Sequence, residues 1–356
     1  MKLKSPFSYL LSSLVLIICS AVLTLVIAEY VITPLALRIT GKPPRELMLL
    51  GFVSTPNTLI DDTPINAQGY TGDVISKDKS QPSTIRILTL GGSAMFNRKM
   101  TQRLIEGLSK ITPRQIEVMG AALRTHTTRS SLIKYEAQLY KYHFDYVLIY
   151  HGINDLWMNH VAATDFRDDY SHLNAFYKRN SLINNSLIAR YLYNKFLWRA
   201  PPRQAEGAGI AASKTFEHNM RQLIQLVKRD GGVPVLMTFA WHIPENYTKE
   251  SFESDGAGYN NQTRYDMWPV ELWGEVDYVK QGLILNNSTV RKLAREENVL
   301  LIDQESMLSK DIRNFGDVCH FSESGTEIFV NSIAYYFKKN DLFHSNDYAS
   351  DLADDK

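Results

Sequence analysis

Residues 85–94 read IRILTLGGSA, an apolar run that ends in two glycines, a serine and an alanine. The run at 85–90 has the length and residue types of a short buried strand. Gly91 and Gly92 can adopt backbone conformations that a Cβ would forbid, and a helical pattern follows them. We therefore expect a tight turn that exposes the hydroxyl of Ser93 at the carboxyl end of the first strand.

Apolar strand-like runs and helical patterns alternate through the rest of the chain. Further strands are predicted at 115–119, 145–150, 233–239 and 299–303, and helices at 99–110, 130–142, 182–198, 214–229, 276–297 and 323–339. Such alternation is typical of a parallel sheet covered by helices on both faces. The predicted fold class is α/β: a three-layer, flavodoxin-like, five-stranded parallel sheet with strand order 2-1-3-4-5. In this order a ligand crevice lies beside strands one and three.

Four regions are predicted along the chain. Residues 1–40 form an amino-terminal transmembrane anchor, and residues 41–82, which contain five prolines, form a neck. The α/β domain occupies 83–343, with inserts at about 199–213 and 241–275, the second rich in Tyr and Trp. Residues 344–356 form an acidic tail.

The anchor is predicted from the run FSYLLSSLVLIICSAVLTLVIA at residues 7–28, which is 22 residues without a charge. A helix of this length spans roughly 33 Å, enough for the hydrocarbon core of a bilayer. A cleaved signal peptide is the alternative, but the run is longer than a usual signal core and no A-x-A site follows. We predict an uncleaved, single-pass anchor in the cell membrane. Flanking Lys and Arg residues are nearly balanced, and the short tail before the helix favours a catalytic domain on the periplasmic, extracytoplasmic side.

Composition argues against several classes of function. The formal net charge is only +1, so the chain lacks the concentrated basic field that nucleic-acid recognition requires. The two cysteines, Cys19 and Cys319, lie far apart in the sequence, which argues against both a disulfide framework and a structural zinc site. We expect no metal, no other cofactor and no nucleic-acid partner.

Two further polar segments stand beside predicted elements. His151-Gly-Ile-Asn154-Asp155 follows the third strand, and the neutral amide of Asn154 suits a developing oxyanion. An Asx-turn would also explain this Asn-Asp pair. Asp317 precedes His320 by three positions, so its carboxylate can reach Nδ1–H and leave Nε2 to accept a proton from serine. A helix-capping Asp beside an incidental His is the alternative.

The sequence resembles the SGNH/GDSL hydrolase family, specifically its membrane-tethered bacterial members with a GGS serine turn. Three motifs carry the resemblance: Gly92-Ser93, Gly152-Ile153-Asn154-Asp155 and Asp317-x-x-His320. The resemblance covers roughly residues 66–340. It implies that Ser93 is the nucleophile, that Asp317 and His320 complete the triad, and that Ser93, Gly120 and Asn154 form the oxyanion hole. The usual Asp before the serine is replaced by Gly92. Gly120 lies at the end of the second strand, whereas counting back from the third strand puts Ala122 at the oxyanion glycine, and a backbone N–H can serve from either residue.

The resulting prediction is ester hydrolysis through an acyl-serine intermediate. The substrate would be a small acyl ester of a sugar, lipid or cell-envelope component, and the other partner is the bilayer around residues 7–28. Two alternatives stay open. One is acyl transfer to a sugar or lipid on the same scaffold. Within the family, the Asp-x-x-His spacing argues against acyl transfer and favours hydrolysis. The other is a catalytically inactive SGNH domain that serves as accessory subunit of a membrane complex.

Overall fold

The computed structural model of the chain describes residues 6–32, 52–60, 62–78, 83–96, 98–174, 177, 193–204, 209–254, 271 and 273–343. The strands of this part are β1 (Leu59–Ile60), β2 (Thr63–Pro64), β3 (Thr71–Gly72), β4 (Ile85–Gly91), β5 (Ile116–Gly120), β6 (Tyr146–Tyr150), β7 (Val233–Met237) and β8 (Leu300–Ile302). The five long apolar runs each form a strand within two residues of the expected bounds.

The central sheet has six strands in the order β3-β5-β4-β6-β7-β8. The five strands β4 to β8 pair in parallel, and their order is the predicted 2-1-3-4-5. The count of five was wrong, because β3 adds an antiparallel edge strand beside β5. This strand comes from the predicted neck, whose Phe52, Tyr70 and Ile75 are also buried in the domain core. The small hairpin of β1 and β2 stands outside this sheet.

The described helices are α1 (Pro6–Ile27), α2 (Arg98–Ser109), α3 (Thr128–Ala137), α4 (Ile153–Leu156), α5 (Ala212–Arg229), α6 (Lys249–Glu253), α7 (Val276–Glu296), α8 (Gln304–Met307) and α9 (Glu323–Lys339). The helix expected to reach Tyr142 ends at Ala137, and a 3₁₀ turn follows it. The predicted helix at 182–198 lies largely outside the described residues, and the acidic tail lies wholly outside them.

Two apolar clusters cover the two faces of the sheet, as expected for three layers. Side chains of α2 and α9 pack with Ile87 and Leu148 on one face. Side chains of α3, α5 and the last turns of α7 pack with Leu88 and Ile149 on the other. Neighbouring strand residues therefore alternate between the clusters, because successive side chains of a strand point to opposite faces.

The amino-terminal helix α1 covers most of the predicted anchor, and its side chains are described from Ser12 onward. Within the described residues, no helix is both long enough and apolar enough to cross a membrane.

Candidate active site

The turn that carries Ser93 lies at the carboxyl end of β4, in the middle of the sheet. Ser93 begins a 3₁₀ turn that ends at Met95, with the extended Gly92 before it. The N–H of Phe96 donates to the Ser93 carbonyl (2.9 Å) and closes the turn. A Cβ on Gly92 would overlap the Nδ2 atom of Asn154. Glycine is therefore required here by the close approach of a polar side chain.

His320 reaches this turn from the loop before α9. Its Nε2 lies 2.7 Å from the Ser93 hydroxyl oxygen, inside the range expected for a nucleophile and its base. Its Nδ1 lies 2.7 and 2.9 Å from the two carboxylate oxygens of Asp317. The backbone N–H groups of Cys319 and His320 both donate to the Asp317 Oδ1 atom at 2.8 Å. One loop thus holds the carboxylate and the imidazole in a line toward the serine.

Electrostatics favours an ionised carboxylate in this line. Asp317 is only 8% exposed, and burial alone would raise its pKa. The His320 ring and the two backbone donors act in the opposite direction and leave the pKa of Asp317 below its ordinary value. An ionised carboxylate beside Nδ1 favours the tautomer with hydrogen on Nδ1. The Nε2 atom is then an acceptor for the serine hydroxyl.

Asn154 lies in the first turn of α4, against Gly92, and is 8% exposed. Its Nδ2 donates to the carbonyl of His126 at 3.0 Å. A primary amide carries two N–H donors, so one donor fixes the side chain and the second is left for a ligand. Asn154, Ser93, Gly92, Ile153 and Phe239 all line one small cavity beside the serine.

Gly120 does not join this group, and its predicted oxyanion role does not match its position. The N–H groups of Ala121 and Leu123 donate to the carbonyls of Thr89 and Gly91 in β4. Successive N–H groups of a strand point in opposite directions, so the N–H of Gly120, the last residue of β5, points away from β4 and from Ser93. A Cβ on Gly120 would meet Thr71 of the unforeseen edge strand β3.

Asp317, Cys319 and His320 are close enough together to offer three metal ligands, the one such group among the described residues. The donor chemistry does not fit a metal. Burial first and the Asp317 charge second raise the pKa of the Cys319 thiol well above its ordinary value, and a protonated thiol is a poor ligand. Both ring nitrogens of His320 are also engaged, with Asp317 and Ser93.

Several supporting residues escaped the sequence analysis. Asn287 of α7 accepts from the Phe239 N–H (2.6 Å) and donates to its carbonyl (2.9 Å), and Asn286 donates to the Gly152 carbonyl (3.2 Å). Thr125 has a φ of 61°, a rare conformation for a β-branched residue, one residue before the His126 carbonyl that holds Asn154. In the sequence, Asn286 and Asn287 are polar residues inside an apolar helix pattern, and no motif spacing marks them.

Trp241 and Trp273 belong to the aromatic insert at about 241–275. Both are buried in the core, at 6% and 7% exposure, and the Trp241 indole donates to Glu305. Trp268 lies outside the described residues. The described members of this aromatic insert therefore stabilise the domain.

No protein-family model matches the sequence, and no curated protein matches it. Similar solved structures include a GDSL-like lipase from Bacteroides thetaiotaomicron, 11% identical with a TM-score of 0.41, which covers 72% of this chain and 88% of that one. An acetylxylan esterase from Geobacillus stearothermophilus is 15% identical, with a TM-score of 0.42 over 71% and 93% of the two chains. A lipase/acylhydrolase from Enterococcus faecalis is 13% identical, with a TM-score of 0.42 over 72% and 96%. At these identities and TM-scores, the similarity assigns no activity to this chain.

Proposed function

We propose that the chain is a serine ester hydrolase of the SGNH (GDSL-like) type that acts through an acyl-serine intermediate. One observation carries this proposal: the unbroken line of hydrogen bonds from Asp317 through His320 to the Ser93 hydroxyl. Nucleophile, base and orienting carboxylate in contact are the arrangement that activates a serine. The substrate class is an acyl ester of a sugar, lipid or cell-envelope component.

In the proposed reaction the Ser93 oxygen attacks the ester carbonyl carbon while His320 Nε2 takes the hydroxyl proton. The tetrahedral intermediate collapses, the bond to the alcohol breaks, and His320 returns the proton to the leaving oxygen. Water then attacks the acyl-serine with His320 again as base, and the acid leaves as Ser93 regains its proton. Asp317 stays ionised throughout and stabilises the imidazolium that forms twice in the cycle.

The oxyanion would be held by two donors beside the serine. The first N–H groups of a helical turn have no partner within it, and Ser93 itself begins such a turn. The second donor is the N–H of Asn154 that does not bind His126. Removal of one donor of this kind costs about 10²–10³-fold in turnover. Gly120 has no part in this proposal.

We also propose that residues 7–28 hold the chain in the cell membrane with the hydrolase domain on the periplasmic side. In the described part of α1, apolar side chains are widely exposed, for example Leu16 at 69% and Ile17 at 65%. Contiguous exposed apolar surface of this kind is typical of a membrane or protein contact. The uncharged run in the sequence favours the membrane.

The test of the hydrolase proposal is ester turnover by the wild type and by Ser93→Ala, with melting temperature measured in parallel. Removing one oxygen from a half-buried turn should change the unfolding free energy by no more than about 0.5 kcal/mol. Turnover should fall by orders of magnitude, to a residual rate about 10³–10⁴-fold above that of the uncatalysed reaction in water. Ser109→Ala, on the exposed last turn of α2, is the matched control and should keep full activity.

Two results would contradict the hydrolase proposal. If folded Ser93→Ala keeps the wild-type rate, Ser93 is not the nucleophile. If the wild type turns over no p-nitrophenyl ester, sugar acetate or lysolipid, the accessory-subunit alternative takes precedence. A rate that rises with added alcohol, with formation of the new ester, would instead favour acyl transfer.

A further inference from the structure

The cavity beside Ser93 is small. Its free volume is about 10 Å³, which is about the room that one water molecule needs. A much larger cavity of about 400 Å³ lies beside β3 and α2, lined by Ile65, Thr71 and Ile105, and includes no residue of the Ser93 site. Among the described residues, the cavity that Ser93 shares with Phe239 therefore has room for a group about the size of a methyl.

The walls of this cavity are aromatic and are fixed by contacts behind them. The Phe239 ring stacks on Tyr150, with ring centres 4.7 Å apart and an interplanar angle of 18°. The Tyr150 hydroxyl accepts from the Ala240 N–H at 2.9 Å, and Asn287 holds both backbone polar groups of Phe239. Rigidly held rings of this kind do not yield to an added methylene without strain in the close-packed interior.

The part of the cavity wall contributed by His151 carries no charge that could attract a polar group. His151 is 2% exposed, and its Nε2 lies 2.8 Å from the Ser131 hydroxyl. Burial first, and the charge of Lys134 second, lower the pKa of His151 to about 3, so this ring is neutral in the ordinary pH range. The cavity is thus closed by neutral groups on the sides formed by β6 and β7.

We infer that the enzyme acts on acetyl esters and rejects longer acyl chains, and that Phe239 sets this limit. The inference rests on the proposed function, because it assumes that the acyl group is transferred to Ser93. The acetyl methyl would occupy the small cavity, with the alcohol part of the ester toward solvent. Phe239 acts as a specificity-determining residue that touches the acyl group, and Asn287 acts through it as a positioning residue.

The test is a series of p-nitrophenyl esters from acetate to octanoate, each rate divided by its rate of hydroxide hydrolysis to remove differences in intrinsic reactivity. One methylene too many in a tight pocket costs about 10–200-fold. We expect kcat/KM for acetate to exceed that for hexanoate by at least about 100-fold. Phe239→Leu should raise the hexanoate-to-acetate ratio by about 10-fold or more, with the change mainly in hexanoate.

Phe216→Leu is the matched control, because Phe216 is equally a buried phenylalanine but packs on the opposite face of the sheet. It should leave the chain-length ratio unchanged even if it lowers stability. Should Phe239→Leu fail to fold, Ile153→Ala, which enlarges the same cavity, provides the second reading of the ratio.

The outcomes separate this inference from the proposed function. Equal or better turnover of hexanoate by the wild type overturns the inference and leaves the hydrolase proposal standing. An unchanged ratio in both cavity variants shows that these side chains do not limit the acyl chain, and likewise overturns it. No turnover of any ester sinks the hydrolase proposal and this inference with it.

Discussion

The absence of a side chain on Gly92 leaves room for the amide of Asn154. The predicted effect of Gly92→Ala is displacement of Asn154, because the new Cβ would overlap its Nδ2 atom. Turnover should fall by about 10²–10³-fold, as for Asn154→Ala, since one oxyanion donor is lost. In the double variant the overlap no longer exists, so its loss should match that of Asn154→Ala alone. Comparison of kcat for the three variants checks this coupling, and two losses that simply multiply would refute it.

A second prediction at the residue scale concerns Asp317 and pH. Its pKa is depressed in the folded chain, so its ionised form contributes stability above the unfolded value near 4. This contribution is lost as pH falls through the still lower folded pKa. Asp317→Asn removes it, so the variant should be less stable than the wild type at pH 7 and approach it below pH 4.

Urea unfolding at pH 7 and pH 3 measures this difference directly. Asp277→Asn, an exposed carboxylate in the first turn of α7, is the control and should track the wild type more closely at both pH values. Turnover of Asp317→Asn should be severely reduced as well, because an amide at this place favours the wrong tautomer of His320. A gap in stability that is as large at pH 3 as at pH 7 would contradict the linkage.

At the scale of elements, the helix pair α2 and α9 connects the two halves of the site. α2 follows the Ser93 turn, and α9 follows the His320 loop. Gly107 of α2 lets the helices approach, since a Cβ there would lie 3.2 Å from Val330 of α9. Arg103 and Glu323 form an ion pair across the same interface. Packing between these helices therefore helps to hold together two residues that stand 227 positions apart.

The contact between α3 and α4 yields a prediction of its own. Asp155 of α4 accepts from the hydroxyl (2.5 Å) and the N–H (3.1 Å) of Thr128 in α3, and from the Tyr170 hydroxyl (3.1 Å). Burial is the largest influence and raises the pKa of Asp155 to about 7, although these hydrogen bonds act against it. A raised carboxyl pKa gives stability below about pH 4 that is lost as pH rises toward 7.

Asp155→Asn keeps an acceptor for Thr128 and cannot ionise. We therefore expect the wild type to lose stability relative to Asp155→Asn between pH 4 and pH 7, the opposite sign to the Asp317 effect. Unfolding by urea at pH 4.5 and 7.5 is the measurement, and Asp155→Ala, which lacks the acceptor, should be destabilised at both. The prediction fails if the wild type gains stability over Asp155→Asn across this interval.

How much of this could be read from the sequence differs from element to element. Apolar runs such as 145–150 are reliable because a buried parallel strand needs apolar residues on both faces. The edge strand β3 was missed because two residues, Thr71 and Gly72, show no periodicity. Gly120 ends its strand as predicted, but its approach to Thr71 depends on pairing with the edge strand β3, and this register is a tertiary property.

At the scale of the whole molecule, the site is an assembly from four separate parts of the chain. Ser93, Asn154 and Phe239 follow three neighbouring strands, β4, β6 and β7, while His320 comes from a loop beyond the sheet. Parallel strands bring their carboxyl ends to one edge, which is why Ser93 and Asn154 could be expected to meet. The approach of His320 depends on the long-range packing of α9, for which spacing within one motif provides no signal.

The last prediction concerns the amino-terminal helix, which lies outside this assembly. A variant that begins at residue 52 keeps Phe52 and the buried part of the predicted neck and removes the apolar run at 7–28. Because the residues of the site and its walls are all retained, we expect unchanged kcat and KM for a soluble acetyl ester.

The full chain should sediment with membranes and require detergent for release, whereas the shortened chain should stay in the supernatant. Intact spheroplasts treated with protease report the side, since a periplasmic domain is digested and a cytoplasmic one is protected. If the full chain is released by alkaline carbonate without detergent, residues 7–28 do not span the bilayer.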